Sequence, residues 1–302
     1  MYDTIIIGAG PGGLTSSIYL NRSGLKTLLI EKGFSGGQMI NTSEIENYTG
    51  FENINGAELS FKMESHAKKI GGTFVTEEVL EYDLSGPVKK IKTNKNEYES
   101  KTVILAMGAH PRKTGITGEE EYSQGGVSYC ATCDGAFYRG KNVAVIGGGN
   151  TAVEDAAYLA RFCEKVYIIH RRDEFRADQA EVKKLKAFEN VEYVLSSLPE
   201  EILGSGGKVT GIKVKNRVTN KESVLEADAV FIAIGSIPNS DNLKDVELNE
   251  NKNIITNQLM ETNLKGVYAI GDIRNTPLRQ VLTACSDGAI AAQSINSYIG
   301  SL

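Results

Sequence analysis

Short apolar runs alternate with longer amphipathic stretches from the first residues onward. Residues 4–7 (Thr-Ile-Ile-Ile) form a continuous apolar run of the kind a strand buried on both faces carries. A helical stretch follows over residues 14–23, and a second apolar strand over 26–30 ends on Glu31. Residues 57–70 set Leu59, Phe61, Met63 and Ala67 among charged positions and predict a helix. Short strands alternate from 73 to 102, within which 89–95 reads as a solvated polar face. Residues 103–107 (Val-Ile-Leu-Ala-Met) form another buried strand, closed by Gly108 and Pro111. Residues 33–50 run from Gly33 and Gly36-Gly37-Gln38 through polar positions to Asn47 and Gly50. That composition predicts an irregular loop, lying over a cofactor or serving as a plain surface loop.

The pattern then starts again. Residues 143–146 (Val-Ala-Val-Ile) are a buried strand, a helix extends through 161, and the strand 165–169 ends on His170. Residues 230–234 (Val-Phe-Ile-Ala-Ile) are closed by Gly235 and Pro238, as 103–107 are by Gly108 and Pro111. Gly108 follows Gly8 by 100 residues, and Gly235 follows Gly147 by 88. Two related nucleotide-binding folds of α/β class account for this repetition. Polar turns occupy 239–253; a strand over 267–272 then carries Asp272 at its carboxyl end, where open α/β sheets bind ligands. Asp272 is equally the residue type that caps turns. Arg279-Gln280 lead into an alanine-rich helix over 281–298, whose N-terminus suits a cofactor's anionic edge.

Each repeat opens on glycines placed between strand and helix. In the first, Gly8-Ala9-Gly10-Pro11-Gly12-Gly13 gives the spacing G-x-G-x-x-G. Gly8 allows the tight turn, Gly10 lets backbone approach a pyrophosphate, and Gly13 lets helix pack on strand. The pyrophosphate would sit on the free N–H groups of the helix start. Glu31, 21 residues after Gly10, is placed to accept from ribose hydroxyls. In the second, Gly147-Gly148-Gly149-Asn150-Thr151-Ala152 ends on the alanine the fingerprint permits. The position matching Glu31 is His170, followed by Arg171, Arg172 and Arg176. Cations in place of the acid can clasp a 2′-phosphate, so this copy is expected to prefer NADPH to NADH. The competing reading is a solvated basic turn.

Between the repeats lies Cys130-Ala131-Thr132-Cys133-Asp134. Two cysteines at this spacing beside a βαβ unit read as a pair that cycles between disulfide and dithiol. Half of a zinc site and an inert pair of thiols are the alternatives; Cys163 and Cys285 stand alone, and no second C-x-x-C supplies further ligands. Four cysteines in 302 residues are not a secreted disulfide framework. The length suits two domains of about 150 residues, and 41% hydrophobic with 24% charged residues is an ordinary globular composition. A net charge of −5 argues against a nucleic-acid partner. No cleavable apolar leader and no apolar run of membrane-spanning length are evident, so a cytoplasmic protein without a membrane partner is expected.

Taken together, the glycine turns, Gly36-Gly37-Gln38, the cysteine pair with Asp134, His170-Arg171-Arg172 with Arg176, Gly271-Asp272 and Arg279-Gln280 resemble the low-molecular-weight, NADPH-dependent thioredoxin reductases of the class II pyridine nucleotide-disulfide oxidoreductases. The resemblance spans the whole chain in order. It implies two Rossmann-like three-layer domains, the second inserted in the first: 1–112 with 242–302 binding FAD, and 113–241 binding NADPH and carrying the redox pair. The linkers would lie near 112–118 and 238–242. The FAD residues it implies are Gly8, Gly10, Pro11, Gly13, Glu31, Lys32, Gly36, Gly37, Gln38, Asn47, Asp272, Arg279, Gln280 and Val281. For NADPH they are Gly147, Gly149, Asn150, Thr151, His170, Arg171, Arg172 and Arg176. Cys133 would be the flavin-side thiol, Cys130 the thiol that attacks an external disulfide, and Asp134 the general acid/base. No metal is implied. The partner would be thioredoxin, held transiently through Cys130, and the assembly a homodimer. One domain would rotate about the linkers so that pair and nicotinamide reach the flavin in turn. The segment Gly135-Ala136-Phe137-Tyr138 departs from the adjacent aromatics expected there, and Cys285 stands where a small residue is expected. A dithiol oxidase of the same fold and a non-enzymatic nucleotide-binding module are the other classes; Arg171, Arg172 and Arg176 speak against the oxidase.

Overall fold

A computed structural model of the chain describes residues 1–42 and 44–302. It divides into two compact units, Met1–His110 with Ile237–Leu302, and Pro111–Ser236.

The first unit begins β1 (Tyr2–Ile7), α1 (Pro11–Arg22), β2 (Thr27–Glu31), a 3₁₀ turn over Gly37–Asn41, and α2 (Gly56–Ile70). Then come β3 (Thr73–Thr76), β4 (Val79–Asp83), β5 (Lys89–Thr93), β6 (Glu97–Leu105) and β7 (Ala109–Pro111). The second unit holds β8 (Val127–Ser128), α3 (Ala131–Asp134), β9 (Asn142–Ile146), α4 (Asn150–Leu159), β10 (Lys165–Ile169) and α5 (Gln179–Leu185). It continues through β11 (Val191–Val194), β12 (Ser197–Ser205), β13 (Lys208–Asn216), β14 (Glu222–Glu226) and β15 (Ala229–Ile232), and β16 (Ser236–Pro238) leads out. The chain finishes in the first unit with β17 (Val267–Ala269), a 3₁₀ turn over Gly271–Ile273 and α6 (Val281–Gly300).

Both central sheets are built on parallel strands. In the first, the order is β3-β2-β1-β6-β5-β4, with β17 pairing the carboxyl half of β6 while β5 takes the amino half. Alternate residues go to opposite faces. Ile6, Leu29, Ile104 and Tyr268 meet Leu14, Leu20 and Ile295 of α1 and α6. Ile5, Ile7, Leu28, Ile30, Val103 and Leu105 meet Ile91 and the loop residues Leu243, Val246 and Ile254. In the second unit the order is β11-β10-β9-β15-β8, all parallel. One face packs on α4 and α5 through Val145, Ile168 and Phe231, and the other on the antiparallel β12-β13-β14 through Ile146, Ile169 and Ile232.

Two expectations are corrected. Residues 89–95 are not a solvated face. Lys89, Ile91 and Thr93 alternate inward on β5, and Lys89 is only 2% exposed, its Nζ donating to the carbonyls of Leu84 and Gly86. A buried ammonium is tolerable because backbone oxygens replace its water. The strand expected over 103–107 is the end of the nine-residue β6 and stops at Leu105, where the chain turns toward Gly108.

Candidate active site

The redox segment sits where β8 gives way to the short helix α3. Cys130 has extended backbone and precedes the helix, so its carbonyl receives the amides of Cys133 (3.2 Å) and Asp134 (3.1 Å). That one turn brings the sulfurs together, and Cys130 and Cys133 form a disulfide. Ala131 is buried in the cluster that includes Ala152, Val153 and Ala156 of α4. Gly135 lies so close to α4 that a Cβ there would stand 2.8 Å from Leu159 Cδ2. The pair therefore rides on a packed helix while both cysteines stay half-buried.

Asp134 follows directly. Its carboxylate accepts from Ser128 Oγ at 2.6 Å. Burial pushes its pKa up from the usual carboxylate value, and the Ser128 hydrogen bond pulls the other way. Beyond it, Phe137 is exposed, whereas Tyr138 packs edge-on against Phe231 at 5.8 Å. The helix expected through 161 ends at Leu159, so Cys163 lies in the turn after α4, where its Sγ donates to the carbonyl of Tyr138 at 3.3 Å. Burial pushes that thiol up to about 11, which leaves it a poor nucleophile.

The first glycine turn is closed by backbone. A Cβ on Gly13 would stand 2.0 Å from the carbonyl oxygen of Gly8, so nothing larger than hydrogen fits between helix and strand. A Cβ on Gly10 would meet nothing within 4 Å, which leaves the start of α1, with Pro11 in its first turn and no acid there, open to an anion. Glu31 already accepts the amides of Ala9 (2.8 Å) and Gly33 (3.0 Å), fixing its carboxylate at the strand end with lone pairs to spare for hydroxyls. Gln38 donates to the carbonyl of Ala109, Asn47 donates to Gln280 Oε1 at 3.1 Å, and Gln280 forms a capping box with Thr283 at the start of α6. Val281 packs with Met39, Ile45, Ile54 and Leu59. Asp272 lies on the 3₁₀ turn after β17 rather than within a strand; burial raises its pKa, Arg279 lowers it and Asp287 raises it. These residues offer the donors and the open glycine that FAD requires. Lys32, Gly37 and Arg279 are exposed and Gly36 is buried.

The second turn repeats the frame with different side chains. Gly149 has no neighbour in Cβ reach, as at Gly10. Asn150 and Asp178 are joined by two hydrogen bonds of 2.8 Å, and the amide of Arg176 donates to the carbonyl of Gly148 at 2.7 Å. These bonds fold 171–178 back onto the helix start, which carries Thr151 exposed. Arg171, Arg172 and Arg176 are all exposed. His170 is not a fourth cation. It is buried, its ring fills the space where a Gly148 side chain would go, and it lies against Phe175 at 5.7 Å. Burial first, and then the three arginines, push its pKa down. Its Nε2 is buried without a protein partner, an orphan donor or acceptor beside the nucleotide position. Three exposed guanidiniums and an open glycine turn fit NADPH.

Several participants were invisible to motif reading. Arg217, 46 residues beyond Arg171, donates to its carbonyl at 3.2 Å and adds a guanidinium to the cluster. Ser128 touches Asp134, and Asp287 accepts the amide of Gly271 at 3.0 Å just before Asp272. Cys285 Sγ faces the carbonyl of Pro11 at 3.8 Å, its pKa raised chiefly by burial. Arg217, Ser128 and Asp287 carry no local sequence signal, because each reaches its partner through the fold, whereas Cys285 already stood out in the sequence.

A profile of the pyridine nucleotide-disulphide oxidoreductases matches residues 2–288. The chain belongs to this family. Thioredoxin reductase of Bacillus subtilis (strain 168) is 46% identical over 305 residues, covering 100% of this chain and 96% of that one. Thioredoxin reductase of Listeria monocytogenes is 43% identical over 303 residues, covering 100% and 95%. The crystal structure of thioredoxin reductase from Streptococcus pyogenes MGAS5005 is 42% identical and superposes with a TM-score of 0.94, covering 100% of this chain and 99% of that one. In this member of the family Cys130 and Cys133 are joined as a disulfide, the arrangement a redox-active pair requires.

Proposed function

We propose that this protein is an NADPH-dependent thioredoxin reductase. The observation that carries the reading is the disulfide Cys130–Cys133 with the half-buried acid Asp134 beside it, in the unit whose glycine turn is flanked by three exposed arginines. The first unit would hold FAD through the start of α1, Glu31 and the turn bearing Asp272; the second would hold NADPH through Gly149 and Arg171, Arg172 and Arg176. When bound, the two cofactors supply an electron pair from NADPH that FAD delivers to the disulfide.

The chain's own residues do the rest. With the electron pair and one proton, the disulfide opens to the Cys130 thiolate and the Cys133 thiol. The Cys130 thiolate attacks one sulfur of the partner's disulfide, forming a mixed disulfide and releasing the partner's other sulfur as a thiolate. Asp134 gives that leaving sulfur a proton. Cys133, the flavin-side thiol, then gives its proton to the Asp134 carboxylate and attacks Cys130 Sγ, which releases the second partner sulfur as a thiolate that takes a proton from solvent, and restores the Cys130–Cys133 disulfide. Exposed Phe137 offers an apolar contact for the partner. The reading carries with it a homodimer and a cytoplasmic setting; among the described residues no helix is long and apolar enough to cross a membrane.

The test is NADPH oxidation with three acceptors: oxidised thioredoxin, a small aromatic disulfide, and dioxygen alone. Acceleration by thioredoxin is expected. Equal rates with dioxygen alone would make the oxidase reading the better one, and no NADPH oxidation at all would leave a binding module. Reduced Cys133→Ser enzyme mixed with a thioredoxin lacking its second active-site cysteine should accumulate a heterodimer linked through Cys130.

A further inference from the structure

Ser128 is almost wholly buried, 5% exposed, at the end of β8. Its hydroxyl accepts from the amide of Cys130 at 3.1 Å and donates to Asp134 Oδ2 at 2.6 Å. A second acceptor, the carbonyl of Cys130, lies 3.3 Å away. A serine hydroxyl has one hydrogen and two lone pairs. With Asp134 ionised, the hydrogen goes to the carboxylate. With Asp134 protonated, the carboxyl O–H can donate to Ser128 Oγ, and the serine hydrogen swings to the Cys130 carbonyl. In that second arrangement every lone pair and the hydrogen are used, so neither state of the acid leaves the hydroxyl unsatisfied.

We propose that Ser128 is a positioning residue for the disulfide exchange: it orients Asp134 in both protonation states, tying the ionised acid to the amide of the attacking cysteine and the protonated acid to both its amide and its carbonyl. The proposal rests on the reading of Asp134 as the general acid. When Asp134 passes its proton to the leaving sulfur, Ser128 keeps its own proton and only turns it, from the Cys130 carbonyl to the new carboxylate. The carboxylate is thus received by a donor already in place, which matters where burial works against the charge. Among the described residues Ser128 is the donor hydrogen-bonded to the Asp134 carboxylate. Tyr138, from the turn that follows, has its own hydroxyl pushed up by burial, Asp134 and Asp228, in that order. The α4 acid Asp155 is pushed up to about 7 by burial and then Glu154, and Tyr158 of α4 lies against Gly135. The cation Arg139 sits over the Phe162 ring at 5.3 Å.

The experiment is the pH dependence of thioredoxin reduction by holoenzyme carrying Ser128→Ala or Ser128→Thr. In Ser128→Ala the ionised carboxylate loses its donor, so the limb that falls as Asp134 ionises moves to higher pH. Turnover on the plateau falls about tenfold, the size of one charged hydrogen bond. Ser128→Thr, which keeps the hydroxyl, restores both. Rapid reduction of the flavin by NADPH stays as in the unaltered enzyme, which separates this effect from a cofactor defect. An unmoved limb in an active Ser128→Ala enzyme overturns the proposal. If Ser128→Ala does not fold, the unaltered enzyme decides: the infrared carboxyl band that is lost in Asp134→Asn must lie at the frequency of a hydrogen-bonded acid, and a band of a carboxyl without a partner overturns it. Failure of the unaltered enzyme to reduce thioredoxin would instead count against the functional reading.

Discussion

The two glycine turns begin with the same backbone and end with opposite electrostatics. In the first, Glu31 stands at the end of β2 and holds the amides of Ala9 and Gly33 with its two oxygens. In the second, the matching His170 is turned inward, neutralised by burial and by its arginine neighbours, and Arg171, Arg172 and Arg176 take the exposed positions. A carboxylate can accept from ribose hydroxyls but repels a phosphate; a guanidinium does the reverse. On the proposed reading, one fold makes two sites of different preference by changing a few residues at one strand end. The lesson extends to packing. The first turn ends on Gly13, against the Gly8 carbonyl, while the second accommodates the methyl of Ala152 near Gly147.

The units differ most in chemistry, since among the described residues only the second carries a disulfide. Asp134→Asn, which keeps shape and removes the proton, is expected to lower thioredoxin turnover about a hundredfold or more. Because burial raises the folded pKa of Asp134, the protonated acid persists to higher pH than an exposed carboxylate would allow. Activity that depends on it falls as pH rises through that value, and the variant should lose this limb. A pH–rate profile of both enzymes checks the point; an unchanged profile would remove Asp134 from the mechanism.

The arginine side of the comparison is tested next. Replacing Arg171 and Arg172 together by serine should weaken NADPH by about 1–3 kcal/mol for each charge-assisted bond lost and NADH little. The ratio of kcat/KM for the two nucleotides is the measurement, and a constant ratio would show that the cluster does not read the 2′-phosphate.

The smallest effects concern packing. Gly13→Ala should destabilise the first unit by about 1–3 kcal/mol through overpacking against backbone that cannot yield. The reciprocal Ala152→Gly should cost only about 1 kcal/mol, the difference in helix propensity. Thermal unfolding of the holoenzymes compares them, and equal losses would mean that the third position is not what distinguishes the two turns.

By itself the sequence determined the parts whose signal is local. Apolar runs of four or five residues define the buried strands, and the glycine spacing specifies a turn because the positive φ at Gly8 and the close backbone at Gly13 leave few other residues admissible. The separation of Cys130 and Cys133 determined a pair able to close within one helical turn. Tertiary structure decided what depends on which face a side chain takes. Lys89 reads as a surface lysine, yet the alternation of β5 turns it toward carbonyls of the neighbouring loop. His170 follows a strand in the register of Glu31, and only the close passage of Gly148 shows that its ring is buried instead of presented. Ser128, an ordinary serine in sequence, becomes a partner of Asp134 because β8 and α3 meet at Cys130. Burial and hydrogen-bond partnership are properties of pairs brought together by folding, and a linear pattern records only which residues are available to form them.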